Sequence, residues 1–157
     1  MEQDGQIKAA VCYACFSKDV TPISEDTLTE FANAAMPQVT LSVKKSFIDV
    51  NNKKLARNRP NWNTMLEECE ADGIKTIVVP AVTMLSHNGF DALSLAKDVK
   101  RKYGIDTYFL LENIYTGSEN VDTDISLYGV IQDYLDRQKK QKKKMKKIFA
   151  ELTESED

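Results

Sequence analysis

Ser17 is the first residue of this chain whose type and place could do chemistry. It follows the nearly continuous apolar run from Lys8 to Phe16, which predicts a central strand covered on both faces. The carboxyl ends of strands in α/β folds present ligand sites, so we expect the Ser17 hydroxyl at such an edge, where it could act as a nucleophile. A serine at the end of a strand also commonly caps a turn. The residue alone leaves both roles open.

A dense run of basic residues near the end of the sequence could bind a polyanion. Residues 137–147 contain no acid and eight basic residues, namely Arg137, Lys139, Lys140, Lys142, Lys143, Lys144, Lys146 and Lys147. The net charge of the whole chain is nevertheless -3. Such a block is typical of surfaces that contact nucleic-acid phosphates, although a solvated helical tail has the same composition.

The composition argues against several other classes of protein. The only histidine, His87, has no Cys, His, Asp or Glu companions at ligand spacing, so we expect no metal and no cofactor. Three cysteines are an odd, sparse set that fits a reducing cytosol better than a disulfide framework. No apolar run approaches the roughly 18 residues of a membrane helix, and the first five residues do not read as a signal peptide. We therefore expect a cytoplasmic protein without membrane contact.

Alternating strand and helix signals predict an α/β domain with a mainly parallel sheet of four to five strands, helices on both faces and a long C-terminal helix. Further strand signals lie at residues 39–43, 47–50, 75–80 and 105–111, and helical signals at 28–35, 60–73, 88–104 and beyond 122. Residues 51–58 are polar and basic and predict a mobile loop. We expect residues 1–121 to form one domain and 122–157 the long helix with its basic run, with no separate DNA-binding domain.

Three further segments of the sequence, taken together with Ser17, form a pattern in their order and spacing. The segments are Phe47-Ile48-Asp49, Arg57 to Trp62, and Glu112 to Thr116. Their order and spacing resemble the N-terminal catalytic domain of serine site-specific recombinases, the family of resolvases, invertases and large integrases. The resemblance runs from about Ile7 to Arg137 and implies a resolvase-like three-layer fold. It also implies attack by the serine on a DNA phosphodiester, a covalent phosphoserine link and no metal.

Without a metal, arginines must position the phosphate and stabilise the charge of the transition state. The resemblance makes Ser17 the nucleophile and assigns the arginine roles to Arg59 and Arg137. Other arginine positions of the family are occupied differently here, by Cys15, Met84 and His87, and Thr83 stands where the family has an acid. Loss of one such donor typically costs about 100- to 1000-fold in rate, so three losses predict a cost on the order of 10⁴ or more.

The resemblance also implies a role for the long helix, which in the family forms the dimer interface and then runs across the DNA. Here Ile125, Tyr128, Ile131 and Leu135 could supply the apolar side of that interface. The basic run would lie where the phosphates pass, and contacts to them would be independent of base sequence and sensitive to salt.

Four hypotheses follow. The first, which we favour, is a recombinase catalytic domain of a mobile element that is impaired in catalysis and acts as a DNA-associated partner in a homo- or heterodimer. The second is an active, divergent recombinase that uses Ser17, Arg59 and Arg137. A small-molecule-binding α/β domain is the third, and it lacks the expected Gly-rich loop after Ser17. The fourth is a structural module that oligomerises through the long helix.

Overall fold

A computed structural model describes residues 7–21, 23–36, 41–50 and 55–155. The chain divides into two units, Met1–Val121 and Asp122–Asp157. The strands of the first unit are β1 Lys8–Phe16, β2 Leu41–Val50, β3 Thr76–Val79, β4 Asp106–Phe109 and β5 Ile114–Tyr115. The helices are α1 Glu25–Ala35, α2 Pro60–Asp72, α3 Gly89–Tyr103 and α4 Val121–Ser155, with short 3-10 turns at Ala56–Asn58 and Val82–Met84.

The sheet has the order β2-β1-β3-β4-β5. All pairs are parallel except β4 with β5. The prediction of an α/β domain with a mainly parallel sheet of four to five strands is therefore confirmed. The pairing of β1 with β2 contains a register shift between Ala10 and Val11, where Lys44 is the extra residue of β2.

Three local predictions were wrong in detail. The strand signals at 39–43 and 47–50 merge into one strand that begins at Leu41, while Val39 and Thr40 lie outside the described residues. The strand predicted at 105–111 spans only Asp106–Phe109, because the chain turns back through Asn113, which has a φ of 55°, to add the antiparallel β5. The loop predicted at 51–58 includes the Ala56–Asn58 turn, which is fixed by the buried Ala56 and its N–H donating to the carbonyl of Leu85 at 2.9 Å. Residues 51–54 of that loop are not described.

The helices begin and end where the sequence supplies the groups that stabilise helix ends. Ser24 accepts a hydrogen bond from the N–H of Thr27, and Asn88 accepts from Phe90 and Asp91, so both cap exposed N–H groups of the first turn. Pro60 stands at the first turn of α2, where its missing N–H costs nothing. Gly104 ends α3 with a φ of 67°, a left-handed conformation that favours glycine.

The core lies on both faces of β1. Ala10, Cys12 and Ala14 pack on one face with Leu28 and Ala32 of α1. On the other face the ring of Tyr13 meets Trp62 of α2 edge-on, with the ring centroids 5.0 Å apart. Strand side chains alternate between faces, so this single apolar strand organises both helical layers and fixes where its carboxyl end lies.

The second unit is formed by α4, whose 35 residues give a length of about 52 Å. Many of its apolar side chains are exposed. Within the described part of the chain, no helix has the length and apolar character needed to span a membrane.

Candidate active site at the carboxyl edge of the sheet

Ser17 lies where the sequence predicts, directly after the last residue of β1. Its side chain is exposed, and its carbonyl accepts a hydrogen bond from the N–H of Val20 at 3.1 Å, which closes a turn. The hydroxyl is therefore presented to solvent at the carboxyl edge of the parallel sheet. The position suits a nucleophile, and the turn also gives Ser17 a structural role.

Arg59 lies beneath this edge in a buried hydrogen-bond network. Its side chain is only 2% exposed, and Nη1 donates to the hydroxyl of Tyr13 and to the backbone carbonyl of Met84. The Tyr13 hydroxyl donates in turn to Oδ2 of Asp49 at 2.8 Å. Burial, the largest influence, raises the pKa of Tyr13, so the hydroxyl stays protonated and can bridge the buried cation and the buried carboxylate.

Asp49 connects this network to the start of α2. Its two carboxylate oxygens accept from the N–H groups of Asn61 and Trp62, each at 3.2 Å. These N–H groups belong to the first turn of the helix, where backbone N–H groups have no hydrogen-bond partner within the helix. The same turn carries the positive end of the helix dipole. Asp49 therefore caps α2 from a neighbouring strand. The sequence contained Asp49 within a resembling segment, but nothing in it signalled a cap 12 residues away.

Met84 occupies one of the positions where the recombinase pattern has an arginine. Its Sδ accepts a hydrogen bond from the backbone N–H of Cys15, another such position, at 3.5 Å. The Met84 side chain is partly buried and packs against the core cluster around Cys12 and Ala14. Two positions that the resemblance assigns to phosphate-binding cations are thus joined by a hydrogen bond between uncharged groups. Thr83 and His87, on either side of Met84, are exposed.

None of the three cysteines, all within the described residues, forms a disulfide, and burial makes two of the thiols poor acids. Burial raises the pKa of Cys12 to about 12 and that of Cys69 to about 11. Cys12 and Cys15 have the spacing of a dithiol motif, yet residues three apart on a strand point to opposite faces. This spacing therefore does not bring the two sulfur atoms together.

Glu112 is a half-buried carboxylate at the same edge, and it lies in a resembling segment to which sequence reasoning assigned no chemistry. Its Oε1 accepts from the N–H of Val82 at 3.1 Å and so caps the 3-10 turn that carries Met84. Burial raises the pKa of Glu112. Among the described residues, no group of three His, Cys, Asp or Glu side chains is arranged to hold a metal ion.

The remaining predicted site residues belong to the second unit. Arg137 is exposed on α4, and its Nε forms an ion pair with Oδ2 of Asp133 at 3.2 Å, one helical turn away. The lysines of the basic run are also exposed. They are Lys139, Lys140, Lys142, Lys143, Lys144, Lys146 and Lys147. The first unit thus brings together Ser17's strand, Arg59 and the substituted arginine positions, while Arg137 and the lysines form a separate set on α4.

Comparison with known proteins identifies the family. Residues 10–153 match the family described as "Resolvase, N terminal domain". This chain belongs to that family, and it is a serine recombinase N-terminal domain. The solved structure "Crystal Structure of the N-terminal Catalytic Domain of TP901-1 Integrase" has the same fold, with a TM-score of 0.60 and 24% sequence identity over 83% of this chain and 98% of that one. No curated protein matched the chain.

Membership in the resolvase family indicates the general process in which the site acts. Proteins of the resolvase family act in DNA recombination, and the family implies interaction with DNA and dimerisation in general. The exposed serine at the end of β1 is the group in this domain that resembles the family's nucleophile.

Proposed function

We propose that this chain is a serine recombinase catalytic domain of a mobile element that is impaired in DNA cleavage and acts as a DNA-associated partner in a dimer. The observation that carries the proposal is the burial of Arg59, at 2% exposure, in a network that stabilises α2. An arginine that binds a phosphate from solution must present its planar fork to it.

The neighbouring substitutions support the same conclusion. Cys15 and Met84 contact each other where two arginines would otherwise place positive charge, and His87 stands at the position of a third. A phosphoryl transfer without a metal relies on preorganised cations, and each one lost typically costs about 100- to 1000-fold. The exposed Ser17 hydroxyl would therefore meet a phosphate with little to neutralise the transition state.

The second unit supports a continued association with DNA. The basic run of α4 is exposed, carries no acidic residue between 137 and 147, and can neutralise phosphates without reading bases. The exposed Ile131 and Leu135 of the same helix provide an apolar surface for a protein partner. DNA binding and dimerisation are thus compatible with the loss of cleavage.

A trapping assay for the covalent intermediate tests the proposal. The protein is incubated with nicked suicide duplexes that contain a pool of randomised central sequences, and protein–DNA adducts are sought on denaturing gels. We expect no adduct from the native chain and none from Ser17→Ala, while an active serine recombinase on its own site shows that the assay works. An adduct of the native chain that Ser17→Ala abolishes would refute the impairment.

The second candidate is an active, divergent recombinase that forms a phosphoserine–DNA intermediate through Ser17. The exposure of Ser17 at the carboxyl edge of the sheet favours it, since the hydroxyl is open to a substrate. It requires Arg59 to leave its buried network, and it requires both Arg59 and Arg137 to contact the phosphate. The Ser17-dependent adduct described above is its expected result.

A further inference from the structure

The two edges of the sheet differ greatly in length. Within the described residues, β2 forms one edge with ten residues, Leu41–Val50, and β5 forms the other with two, Ile114–Tyr115. Every second residue of an edge strand points its backbone N–H and C=O groups away from the sheet, where another strand can pair with them. An edge of two residues offers almost no template for pairing. β2 is therefore the edge at which a further strand could add.

The sequence of β2 favours such an addition. Four of its ten residues are β-branched or aromatic apolar types, namely Val43, Phe47, Ile48 and Val50. These types have high strand propensity, and a long edge strand that contains them is a site at which chains associate. We therefore asked which groups already occupy the outward N–H and C=O positions of β2.

Asn33 of α1 occupies part of this edge. Its Oδ1 accepts a hydrogen bond from the N–H of Val43 at 2.8 Å, and its Nδ2 donates to the carbonyl of the same residue at 3.1 Å. A residue of an added antiparallel strand would form the same two bonds with Val43, so the carboxamide takes the place of a strand. We call this pair of hydrogen bonds the Asn33 clamp. Thr29, one turn earlier on α1, also reaches β2, and its hydroxyl oxygen lies 2.6 Å from that of Ser46.

The remainder of the edge is covered from α2, on the opposite face of the sheet, and by a bulge. Asn61 of α2 donates from Nδ2 to the carbonyl of Ile48 at 2.6 Å. The register shift of β2 lies between the two positions that the asparagines cover, and Lys44, its extra residue, is exposed, as is Lys45. A bulge interrupts the regular spacing that a new strand needs, and lysines on an edge resist pairing because they would lose hydration.

We propose that Asn33, Asn61 and the Lys44 bulge keep β2 from pairing with a strand of a second copy of this chain. The proposal is independent of whether Ser17 cleaves DNA. Asn33 is exposed on α1, where alanine would be the better helix former, so its bonds to Val43 give a physical reason for this residue type. Association of the protein is thereby directed away from the sheet.

Hydrogen exchange followed by NMR on the full chain tests the Asn33 clamp. In the native chain the N–H of Val43 should exchange slowly although it points away from β1. Asn33→Ala removes its acceptor and should speed this exchange by about tenfold, the equivalent of one lost hydrogen bond. The matched control is Asn63→Ala, at an exposed position of α2 whose carboxamide donates to the carbonyls of Arg57 and Arg59. Fast exchange of Val43 in the native chain, or an unchanged rate in Asn33→Ala, would overturn the proposal.

Sedimentation at several protein concentrations tests what the clamp prevents. The double variant with Asn33→Ala and Asn61→Ala should form larger species than the native chain, and the N–H of Val43 should regain slow exchange in them because it pairs with a strand of another copy. Asn33→Lys also lacks the clamp but places a charge at the edge, so it should keep the native size. A double variant of native size, or larger species in which Val43 still exchanges fast, would show that the clamp does not prevent strand pairing. Assembly of Asn33→Lys as readily as of Asn33→Ala would also contradict the proposal.

Discussion

Arg59 donates a hydrogen bond from Nη1 to the hydroxyl of Tyr13 at 3.2 Å, and both side chains are at most 2% exposed. The same hydroxyl donates to Asp49, so one tyrosine connects a buried cation to a buried carboxylate. Asp49 also caps α2. The arginine that the family pattern marks for phosphate binding therefore stabilises the junction of β1, β2 and α2.

Replacing Arg59 should consequently cost stability. Arg59→Met leaves Asp49 buried with its charge uncompensated, and we expect the free energy of unfolding to fall by about 3–5 kcal/mol in urea denaturation. Tyr13→Phe removes the bridging hydroxyl and should cost about 1–3 kcal/mol. The matched control is Arg57→Met, an exposed neighbour that should change stability by no more than about 0.5 kcal/mol. Equal stability of the Arg59 and Arg57 variants would mean that the network contributes nothing.

Stability should also decline in alkaline solution. Burial raises the pKa of Cys12 to about 12 and of Cys69 to about 11 from an ordinary value of 9.0, and it raises the pKa of Tyr13. The unfolded chain therefore loses these protons at lower pH than the folded chain does, so the free energy of unfolding falls as pH rises above about 9. Urea titrations between pH 7 and 10.5 measure this slope. Cys12→Ala should make it shallower by up to about 1.4 kcal/mol per pH unit, and an unchanged slope would contradict the prediction.

Glu112 should have the same sign of pH dependence at the acidic end, where its ionisation also lowers stability as pH rises. Because burial raises its pKa, the folded chain holds this proton more tightly than the unfolded chain, and ionisation at neutral pH disfavours folding. This penalty disappears as pH falls through the folded-state pKa toward the ordinary 4.5. Glu112→Gln keeps an acceptor for the N–H of Val82, so it should be at least as stable as the native chain at pH 7, with the difference shrinking toward pH 4. Glu119→Gln, at an exposed position, is the control. A Gln variant that is clearly less stable at pH 7 would show that the charge supports the cap.

The fold could be predicted from the sequence where local patterns determine it. The apolar run of β1 specified a strand buried on both faces, and Pro60, Gly73 and Gly104 marked helix ends through backbone geometry that few residues allow. The antiparallel β5 could not be predicted, since a strand of only two residues, Ile114 and Tyr115, is too short to show a periodic pattern of apolar residues.

The candidate site was predictable in its residues but not in their contacts. The position of Ser17 followed from the end of a strand, which is local information. The burial of Arg59 depends on Tyr13, 46 positions earlier, and on the carbonyl of Met84, 25 positions later, so no window of sequence contains it. The contact of Cys15 with Met84 joins residues 69 positions apart, so it too could not be predicted from any local window of sequence. Long-range packing therefore determines that Arg59 is buried and not available to bind a phosphate.

The last prediction concerns the basic run of α4. If these lysines contact phosphates, DNA binding should be weak, independent of sequence and lost steeply with salt, because each neutralised phosphate contributes about -0.9 to the slope of log affinity against log salt. Lys142, Lys143 and Lys144 replaced together by Gln should flatten that slope by up to about three units, as measured by fluorescence anisotropy on a DNA duplex at several salt concentrations. Stability should hardly change, since all three side chains are exposed. Gln at Lys44, Lys97 and Lys102 removes the same charge from exposed positions of the first unit, and this control should leave the slope nearly intact. Equal slopes for the native chain and the α4 variant, or no binding at low salt, would make the run a solvated segment of helix and would leave the dimer as the remaining function of α4.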